Sequence, residues 1–301
     1  KIRLGKIQEN CKILAGQEYE FYTDKEFVGN NNKGFINYKE FAKDLSKNEK
    51  ILIDDGKLIF KVISSNKKSH VKAKVIQGGI LRSNKGVNLP NTKLSLPALT
   101  NKDINDAKFI FENNFDWIAL SFVRTKNDIQ DLIKLMNKSL DYKIPIIAKI
   151  EKPEAINNIE EIIKFSDGLM VARGDLGIEI PAEEVPLIQK ELVIKSKKSR
   201  IPIIIATQMM ESMIENLSPS RAEVNDVANS VMDGADAVML SGETSVGNYP
   251  VEVVKSMTSI INKVENSNLI KIPQAFSNEI TKRYITNSIC FNAAKMSNEI
   301  K

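Results

Sequence analysis

The sequence predicts an α/β protein in which a small all-β block precedes part of a (β/α)8 barrel. Three observations support this fold class. Short segments with period-two alternation fill the first 88 residues, and continuously apolar runs alternate with helical patterns from about residue 90 to residue 266. Charged side chains follow several of those runs. Parallel strands that are buried on both faces are continuously apolar, and barrels gather functional groups at one end of their strands.

The first block, residues 4–88, is predicted to be a small antiparallel β barrel or sandwich. Apolar and polar residues alternate over short stretches that are separated by turn residues. The sequence Asp54-Asp55-Gly56 lies between two such stretches and is a typical hairpin signal. The predicted strands are 12–14, 18–22, 50–53, 57–63 and 70–76.

The second block is predicted to alternate strands with helices, which indicates a parallel sheet. Its predicted strands are 117–122, 146–150, 168–172, 202–206 and 237–240. Its predicted helices are 125–138, 153–165, 185–199, 221–232 and 249–266, and a last helix is predicted over 275–301. Since a barrel needs eight strand–helix units and five are visible, we expect the barrel to be incomplete in this chain.

Charged residues collect where two neighbouring strands of the second block end. Lys149 and Glu151 are two residues apart on one strand, so their side chains point to the same side. Asp175 follows the next strand, in a turn with Gly174 and Gly177 where backbone can approach a ligand closely. Two carboxylates with few competing ligands suit Mg2+, which keeps positions for water and substrate oxygens. A lysine beside such a metal suits chemistry in which negative charge is moved or develops.

The bulk composition is that of an ordinary globular protein. The 301 residues are 42% hydrophobic and 27% charged, with a formal net charge of +5. The near balance of basic and acidic side chains, with only 6% aromatic residues, argues against nucleic-acid binding. No apolar run approaches the roughly 20 residues that span a bilayer, and the N-terminal sequence has no signal-peptide pattern. We therefore expect a cytoplasmic protein that binds neither nucleic acid nor membrane.

Cysteine and histidine usage excludes several kinds of site. Cys11 and Cys290 lie far apart in the sequence and are expected to be reduced thiols. His70 is the only histidine of the sequence, which argues against a histidine-based triad and a histidine-rich zinc site.

Four segments resemble the pyruvate kinase family in their sequence, their order and their intervals. They read KIE at 149–151, MVARGDLGIEIP at 170–181, ATQMMESM at 206–213 and MLSGET at 239–244. One such segment alone would mean little, but the ordered set is specific. The resemblance covers nearly the whole chain.

The resemblance implies Mg2+-dependent phosphoryl transfer from phosphoenolpyruvate to ADP, which gives pyruvate and ATP in the last step of glycolysis. Glu151 and Asp175 would hold Mg2+, for which Mn2+ is an alternative. Lys149 would stabilise charge on the transferring phosphoryl group and on the developing enolate. The backbone N–H groups of Gly174 and Asp175 would bind the substrate carboxylate. Thr207 would help to hold that carboxylate and would orient the proton donor.

The resemblance also implies nucleotide contacts and further lining residues. Arg3 and Lys85 match family residues that reach the nucleotide phosphates, and Lys85 lies in segment 82–90, which resembles the return hinge of the family's lid. Arg173 is favoured as a brace of its loop over a substrate contact, and Phe122 is equally well explained as a core residue. The residues expected to line the site are Phe122, Arg173, Ser241 and Glu243.

Three domains follow from the resemblance. Residues 4–88 would be a lid inserted into the barrel, residues 89–266 with 1–3 would be part of the catalytic barrel, and 267–301 would begin a C-terminal α/β domain. The first two strands of the family's barrel and most of its third would precede Lys1. Because family members are usually homotetramers, a homotetramer is expected for the complete protein.

The identity of residue 1 affects the expected requirement for a monovalent cation. Family members that require K+ carry Glu at this position, whereas those that do not require it carry Lys. A tethered ammonium can replace the charge of the ion, so the resemblance predicts a weak K+ requirement or none.

Two other interpretations compete with a pyruvate kinase. An Mg2+-dependent lyase or aldolase barrel acting on phosphoenolpyruvate or pyruvate would also use two carboxylates and a cation, but it does not account for a β lid or for Lys85. A noncatalytic remnant could keep the fold as a binding or assembly module. The incomplete barrel favours the remnant, whereas the presence of Lys149, Glu151, Asp175 and Thr207 argues against it.

Overall fold

The structure, a computed structural model, describes residues 2–90, 92, 94–95, 99–267 and 284–300. Its residues group into two compact units, Lys1–Ile188 and Gln189–Lys301. The first unit contains the β block and three parallel strands of the second block, and two further parallel strands lie in the second unit. The domain limits after residues 88 and 266 remain predictions.

Residues 2–90 form the β block of the first unit. Its elements are β1 (Lys12–Ile13), β2 (Glu18–Tyr22), β3 (Lys33–Phe35), α1 (Phe41–Asp44), β4 (Lys50–Ile53), β5 (Leu58–Ser65), β6 (His70–Gln77), β7 (Gly79–Ile80) and β8 (Val87–Asn88). Six strands form a sheet in the order β3-β2-β6-β5-β4-β8, and β1 pairs with β7. All five predicted strands are present, while β3, β7, β8 and α1 were not predicted.

One strand pair of the block is parallel, although the sequence predicted an antiparallel block. β2 runs parallel to β3, with Phe21 opposite Gly34, whereas β4, β5, β6 and β8 form antiparallel pairs. The chain enters β3 through a turn in which the Asn30 side chain accepts hydrogen bonds from the backbone N–H groups of Asn32 and Lys33. This turn therefore leads directly into β3.

The predicted hairpin at Asp54-Asp55-Gly56 is confirmed. β4 and β5 pair in antiparallel fashion on either side of it. The backbone φ angles of the three residues are 55°, 55° and 82°. Asp and Gly tolerate this left-handed region better than other residues, so the sequence permits the tight reversal.

An aromatic cluster lies in the core of the block. Tyr19, Phe21, Phe41 and Phe60 are fully buried. The ring centroids of Phe21 and Phe60 are 5.1 Å apart and those of Tyr19 and Phe21 are 4.9 Å apart. Alternate residues of β2 and β5 point inward, so the period-two pattern of the sequence places Tyr19, Phe21 and Phe60 in the core.

The remainder of the first unit follows the predicted strand–helix alternation. Its elements are α2 (Asn101–Phe111), β9 (Ile118–Leu120), α3 (Lys126–Asn137), β10 (Ile146–Ile150), α4 (Pro153–Asn157), α5 (Ile159–Phe165), β11 (Gly168–Ala172) and α6 (Arg173–Glu179). β10 pairs in parallel with both β9 and β11, so the carboxyl ends of the three strands lie at one edge. The bounds of β10 and β11 are those predicted, whereas α2 was not predicted.

The helix predicted over 153–165 is divided into α4 and α5. The division falls at Asn158, whose backbone (φ −105°, ψ 14°) leaves the helical region. Its side-chain amide donates to the backbone carbonyls of Glu154 and Arg124, at 2.8 and 3.1 Å. Asparagine side chains compete in this way with helical hydrogen bonds, a local effect that the apolar periodicity does not reveal.

The second unit continues the same alternation. α7 (Val185–Ser199) crosses the limit between the units, followed by β12 (Ile203–Ala206), α8 (Arg221–Asp233), β13 (Ala237–Met239), α9 (Gly242–Ser245), α10 (Pro250–Glu265) and α11 (Tyr284–Glu299). β12 and β13 are parallel, and α10 packs against α8. Residues 275–283 and 301 of the last predicted helix lie outside the described residues. In the described part of the chain, no helix is both long enough and apolar enough to cross a membrane.

Candidate active site

Lys149 and Glu151 meet at the carboxyl end of β10. Lys149 is the fourth residue of this strand and Glu151 directly follows its last residue, so strand alternation places both side chains on one side. Lys149 Nζ lies 2.8 Å from Glu151 Oε1. The Glu151 side chain is only 1% exposed, whereas that of Lys149 is 23% exposed. The structure thus brings these two predicted residues together as a nearly buried ion pair with access to solvent on the lysine side.

Phe122, just beyond β9, supplies a second contact to Glu151. Its backbone N–H donates to Glu151 Oε2 at 2.6 Å. Phe122 has a left-handed φ of 54°, which costs a non-glycine residue about 1–2 kcal/mol. Such backbone strain clusters at functional sites, where the surrounding structure enforces it. The left-handed turn also explains why β9 ends before the predicted limit at residue 122.

Burial raises the pKa of Glu151 above its ordinary value of 4.5. The neighbouring Lys149 and the N–H of Phe122 favour the ionised carboxylate and oppose the rise, while the negative charge of Asp175 adds to it. The effect of burial is larger than that of the two favourable partners, so the pKa of Glu151 remains raised. The ionised Glu151 is therefore held in an unfavourable environment, which a cation bound to both carboxylates would improve.

Asp175 is carried by α6, which begins directly after the buried strand β11. Arg173 and Gly174 precede it as the first two residues of the same helix, and Arg173 is half-buried. The segment predicted as a turn is thus a short helix. The binding role of the Gly174 and Asp175 N–H groups remains a prediction. The role of Arg173 as a brace of this segment, favoured over a substrate contact, remains a prediction.

A cleft of about 540 Å3 opens at these strand ends. Lys149, Glu151 and Asp175 line it together with Ser121 and Phe122. Its volume lies within the range of small-molecule sites. Much of the remaining lining is apolar, including Leu99, Ala107, Ile110, Leu120 and Leu132.

The donor set of the cleft fits a hard divalent cation. Among the described residues, no cluster of three or more His, Cys, Asp or Glu side chains forms a complete metal cage. Glu151 and Asp175 provide two carboxylates that line the same cleft and influence each other electrostatically. Mg2+ is commonly held by one or two carboxylates while it keeps water and substrate oxygens as its other ligands.

Sequence reasoning missed several polar residues of the cleft. Ser121 Oγ lies 3.2 Å from Lys149 Nζ. Asn88, Lys152 and Glu179 also line the cleft, where Asn88 and Lys152 each contact Glu179. Glu179 lies within the family-like segment 170–181 and Lys152 directly follows the segment 149–151, which was a signal of their importance. Their mutual contact was not visible in the sequence.

Arg3 and Lys85 come together where the chain enters and leaves the β block. Arg3 forms an isolated antiparallel bridge with Gly86, and its guanidinium donates to the backbone carbonyl of Asn84 at 2.9 Å. Lys85 Nζ lies 2.8 Å from a carboxylate oxygen of Asp54 in the β4–β5 hairpin. Neither Arg3 nor Lys85 lines the described cleft. The two residues predicted to bind nucleotide are therefore neighbours, at a place distinct from the Lys149 ion pair.

Thr207, in the second unit, follows β12 with a left-handed φ of 67°. The next residue, Gln208, has a φ of 54°. The Thr207 hydroxyl donates to the backbone carbonyl of Ala206 at 2.6 Å. Like Phe122, Thr207 is a non-glycine residue held in a strained conformation at a strand end, which is typical of functional sites.

Glu243 braces two loops of the second unit. Its side chain is nearly fully buried and accepts hydrogen bonds from the backbone N–H groups of Met210, at 3.2 Å, and of Ser241, at 2.7 Å. These contacts join the segments that follow β12 and β13. The lining roles of Ser241 and Glu243 remain predictions, and the prediction for Lys1 lies outside the described residues.

Parallel strand–helix units with a lysine and two carboxylates at their carboxyl ends define the site of a (β/α)-barrel protein. Residues 1–254 match the family described as pyruvate kinase, barrel domain. The pyruvate kinase of Mycobacterium intracellulare is 44% identical over 273 residues, which cover 91% of this chain and 57% of that protein. The pyruvate kinase of Bacillus licheniformis is 46% identical over 283 residues, which cover 93% of this chain and 48% of that protein.

The chain belongs to the pyruvate kinase family. A crystal structure of a pyruvate kinase from Cryptosporidium parvum matches with a TM-score of 0.82 and 37% identity, covering 88% of this chain and 55% of that chain. The family resemblance and the (β/α)8 barrel class predicted from the sequence are thereby confirmed. The chain spans about half the length of the curated relatives it matches.

Proposed function

We propose that the protein containing this chain is a pyruvate kinase that transfers the phosphoryl group of phosphoenolpyruvate to ADP. The observation that carries this proposal is the nearly buried Lys149–Glu151 pair beside Asp175, in a cleft at the ends of parallel strands. All three residues lie in the segments that resemble the family. Phosphoryl transfer needs positioning and charge stabilisation more than covalent catalysis, and this cleft supplies both.

Glu151 and Asp175 would hold Mg2+, with Mn2+ as an alternative ion. When bound, the metal supplies positive charge next to the substrate's carboxylate, enolate oxygen and phosphate. The raised pKa of Glu151 supports this assignment, because its burial disfavours an ionised carboxylate that has no cation to neutralise it.

Lys149 would stabilise the negative charge that moves during the reaction. The bond between phosphorus and the enolate oxygen of phosphoenolpyruvate breaks, and a bond from phosphorus to a terminal oxygen of ADP forms. The ammonium of Lys149 is kept in place by Glu151 at 2.8 Å and by Ser121 at 3.2 Å. A preorganised cation in a partly enclosed site stabilises such charge more than water does.

The remaining steps fall to groups whose roles come from the family motifs. The backbone N–H groups of Gly174 and Asp175 would bind the substrate carboxylate. Thr207 would help to hold it and would orient a water chain that protonates the enolate carbon, since a threonine hydroxyl is itself a poor acid. Phe122, Arg173, Ser241 and Glu243 would line or brace the site.

Nucleotide binding would involve Arg3 and Lys85. Both lie at the hinge of the β block, where Arg3 contacts the carbonyl of Asn84 and Lys85 pairs with Asp54. Their clustering of positive charge suits phosphate groups. The block 4–88 would act as the lid that carries them, with 89–266 as the catalytic barrel and 267–301 as the start of a C-terminal domain.

Several properties of the whole protein complete the proposal. The substrates would be phosphoenolpyruvate and ADP and the products pyruvate and ATP, in the cytoplasm. The complete protein would be a homotetramer that binds neither nucleic acid nor membrane. With Lys1 in place of an acidic residue, the requirement for K+ would be weak or absent.

The proposal is tested by pyruvate formation from phosphoenolpyruvate and ADP, measured on the intact protein with and without Mg2+. We expect turnover that depends on Mg2+ and that Lys149→Met lowers by about 100- to 1,000-fold, as the loss of one preorganised donor does. The matched control is Lys134→Met, which removes an exposed lysine that pairs with Asp131 on α3. This control should retain wild-type turnover.

Two results would contradict the proposal. If the folded protein binds Mg2+ but forms no pyruvate, a lyase or a noncatalytic remnant becomes the better explanation. If turnover survives in a folded Lys149→Met variant, the reaction takes place elsewhere.

A further inference from the structure

A buried ion pair lies beside the proposed metal ligands. Lys152 Nζ is 2.7 Å from Glu179 Oε1, and the two side chains are 8% and 0% exposed. The side-chain amide of Asn88 donates to the same carboxylate oxygen at 3.0 Å. The three residues come from three separate elements, since Asn88 ends β8, Lys152 precedes α4 and Glu179 ends α6.

The ion pair joins the same two parts of the chain as the proposed metal ligands. Glu151 and Lys152 are consecutive residues after β10. Asp175 and Glu179 are four residues apart on α6, so they lie one turn apart on the same helix face. The dipeptide Glu151-Lys152 and one face of α6 therefore each carry one proposed metal ligand and one member of the ion pair.

This arrangement fixes α6 at both of its ends. Its first residue, Arg173, directly follows β11, whose register with β10 is set by strand pairing. Its last residue, Glu179, is attached to Lys152 at the end of β10. With both ends attached, the helix cannot rotate about its axis without breaking the ion pair, so the face that carries Asp175 keeps its orientation.

A buried ion pair contributes little net stability to a fold. Removing two charges from water offsets much of the attraction between them, and apolar pairs of similar size often stabilise a fold as well or better. A charged pair with one additional donor does, however, define a single geometry. Asn88 extends this geometry to the β block, because β8 pairs with β4 with Asn88 opposite Leu52.

We propose that Lys152 and Glu179 are positioning residues that hold Asp175 in place for metal binding with Glu151, and that Asn88 joins the β block to them. The proposal rests on the metal role that the proposed function gives to Glu151 and Asp175. It adds a set of outer residues whose task is to keep α6 in register with β10.

The test uses the intact protein with Glu179→Gln, which keeps the size and the acceptor oxygen but removes the charge. Mn2+ binding is measured from the signal of free Mn2+ by electron paramagnetic resonance, alongside kcat, the KM for ADP and the unfolding midpoint. We expect Mn2+ affinity and kcat each to fall about 10-fold, as with outer partners of metal ligands, with an unchanged KM for ADP. Asn88→Ala should shift Mn2+ affinity in the same direction by a smaller factor.

A matched control is Asp233→Asn, which removes the carboxylate that pairs with Lys190 in the second unit. It should leave Mn2+ affinity unchanged. If Glu179→Gln does not fold, the double variant Lys152→Met/Glu179→Leu replaces both charges together and should fold with weakened Mn2+ binding. A folded variant of either kind that binds Mn2+ as wild type does overturns the proposal, whatever its turnover.

The Mn2+ measurement distinguishes a failure of the positioning role from a failure of the proposed kinase function. A wild-type protein that binds Mn2+ but forms no pyruvate would refute the kinase, yet the effect of Glu179→Gln on Mn2+ affinity would still decide the positioning role. Conversely, normal turnover and normal Mn2+ affinity in the variant would leave the kinase intact and refute the positioning role.

Discussion

Glu151 and Glu223 show how the same side chain behaves in two regions of the molecule. Glu151 ends β10 in the cleft, where burial raises its pKa despite Lys149 and the N–H of Phe122. Glu223 lies in the first turn of α8. Burial alone would also raise the pKa of Glu223, but hydrogen bonds from Ser212 and Ser220 outweigh it and lower that pKa.

The difference between the two sites lies in the hydrogen-bond donors. Glu223 accepts from the backbone N–H groups of Ser212 and Ser220, each at 2.7 Å, and from the hydroxyl of Ser212, while Ser220 completes a capping box. Glu151 has one cationic partner and one N–H in a deeper position. A carboxylate with enough donors stabilises the fold, whereas one kept for a ligand does so less or not at all.

The largest effect on stability is expected for Glu223→Ala. It removes the acceptor of three donors and the reciprocal cap of α8, so the free energy of unfolding should fall by about 2 kcal/mol. Denaturant unfolding of the intact protein measures this change. The nearby exposed residue Glu215 provides the control, since Glu215→Ala should stay within about 0.5 kcal/mol of wild type. Equal effects of the two substitutions would show that the cap carries no stability.

The pH dependence of stability should have opposite signs for the two glutamates. Because the pKa of Glu223 is lowered in the folded state, its stabilisation is present above the ordinary value of 4.5 and is lost as the pH falls through the folded pKa. Wild type should thus exceed Glu223→Gln in stability at neutral pH, and this advantage should vanish in the range below 4.5. Unfolding midpoints of both proteins from neutral to acidic pH provide the measurement.

For Glu151 the expected pattern is reversed. Its pKa is raised in the folded state, so its favourable contribution is complete only below 4.5 and is lost as the pH rises through the folded pKa. Without metal, Glu151→Gln should be at least as stable as wild type at neutral pH, and the difference should shrink as the pH falls towards 4.5. A variant that is much less stable than wild type at neutral pH would show that Glu151 is a structural carboxylate like Glu223.

The smallest effect is expected for Ser121→Ala. The Ser121 hydroxyl lies 3.2 Å from Lys149 Nζ, a weak neutral contact, so kcat should fall about threefold, or about 0.7 kcal/mol, with an unchanged unfolding midpoint. The exposed residue Ser139 offers a matched control in Ser139→Ala, which should leave kcat unchanged. A loss of more than about 30-fold in Ser121→Ala would mean that Glu151 alone does not position Lys149.

The sequence predicted the regular elements well because their patterns are local. β10 and β11 have the predicted bounds, since each is a short apolar run that ends at charged or helix-forming residues. Alternation likewise placed Phe21 and Phe60 in the core of the β block. The parallel pairing of β2 with β3 was missed because pairing direction depends on the path of the intervening chain.

At the site, the sequence identified the charges but not their partners. Lys149 and Glu151 were placed together by strand alternation, and the ion pair at 2.8 Å agrees with that reasoning. The N–H of Phe122 and the carboxylate of Glu179 could not be assigned, because both contacts join residues at least 27 positions apart through the fold. Long-range contacts of this kind leave no periodic signal in a single sequence.

The role of Glu151 in metal binding is tested most directly by the shift of the unfolding midpoint that Mg2+ produces in wild type, Glu151→Gln and Glu223→Gln. A ligand at about 100 times its dissociation constant stabilises the folded state by about 2.7 kcal/mol. If Glu151 holds the metal, Mg2+ should raise the midpoint of wild type and of Glu223→Gln by similar amounts but leave that of Glu151→Gln nearly unchanged. An equal rise in all three proteins would show that Glu151 does not hold the metal.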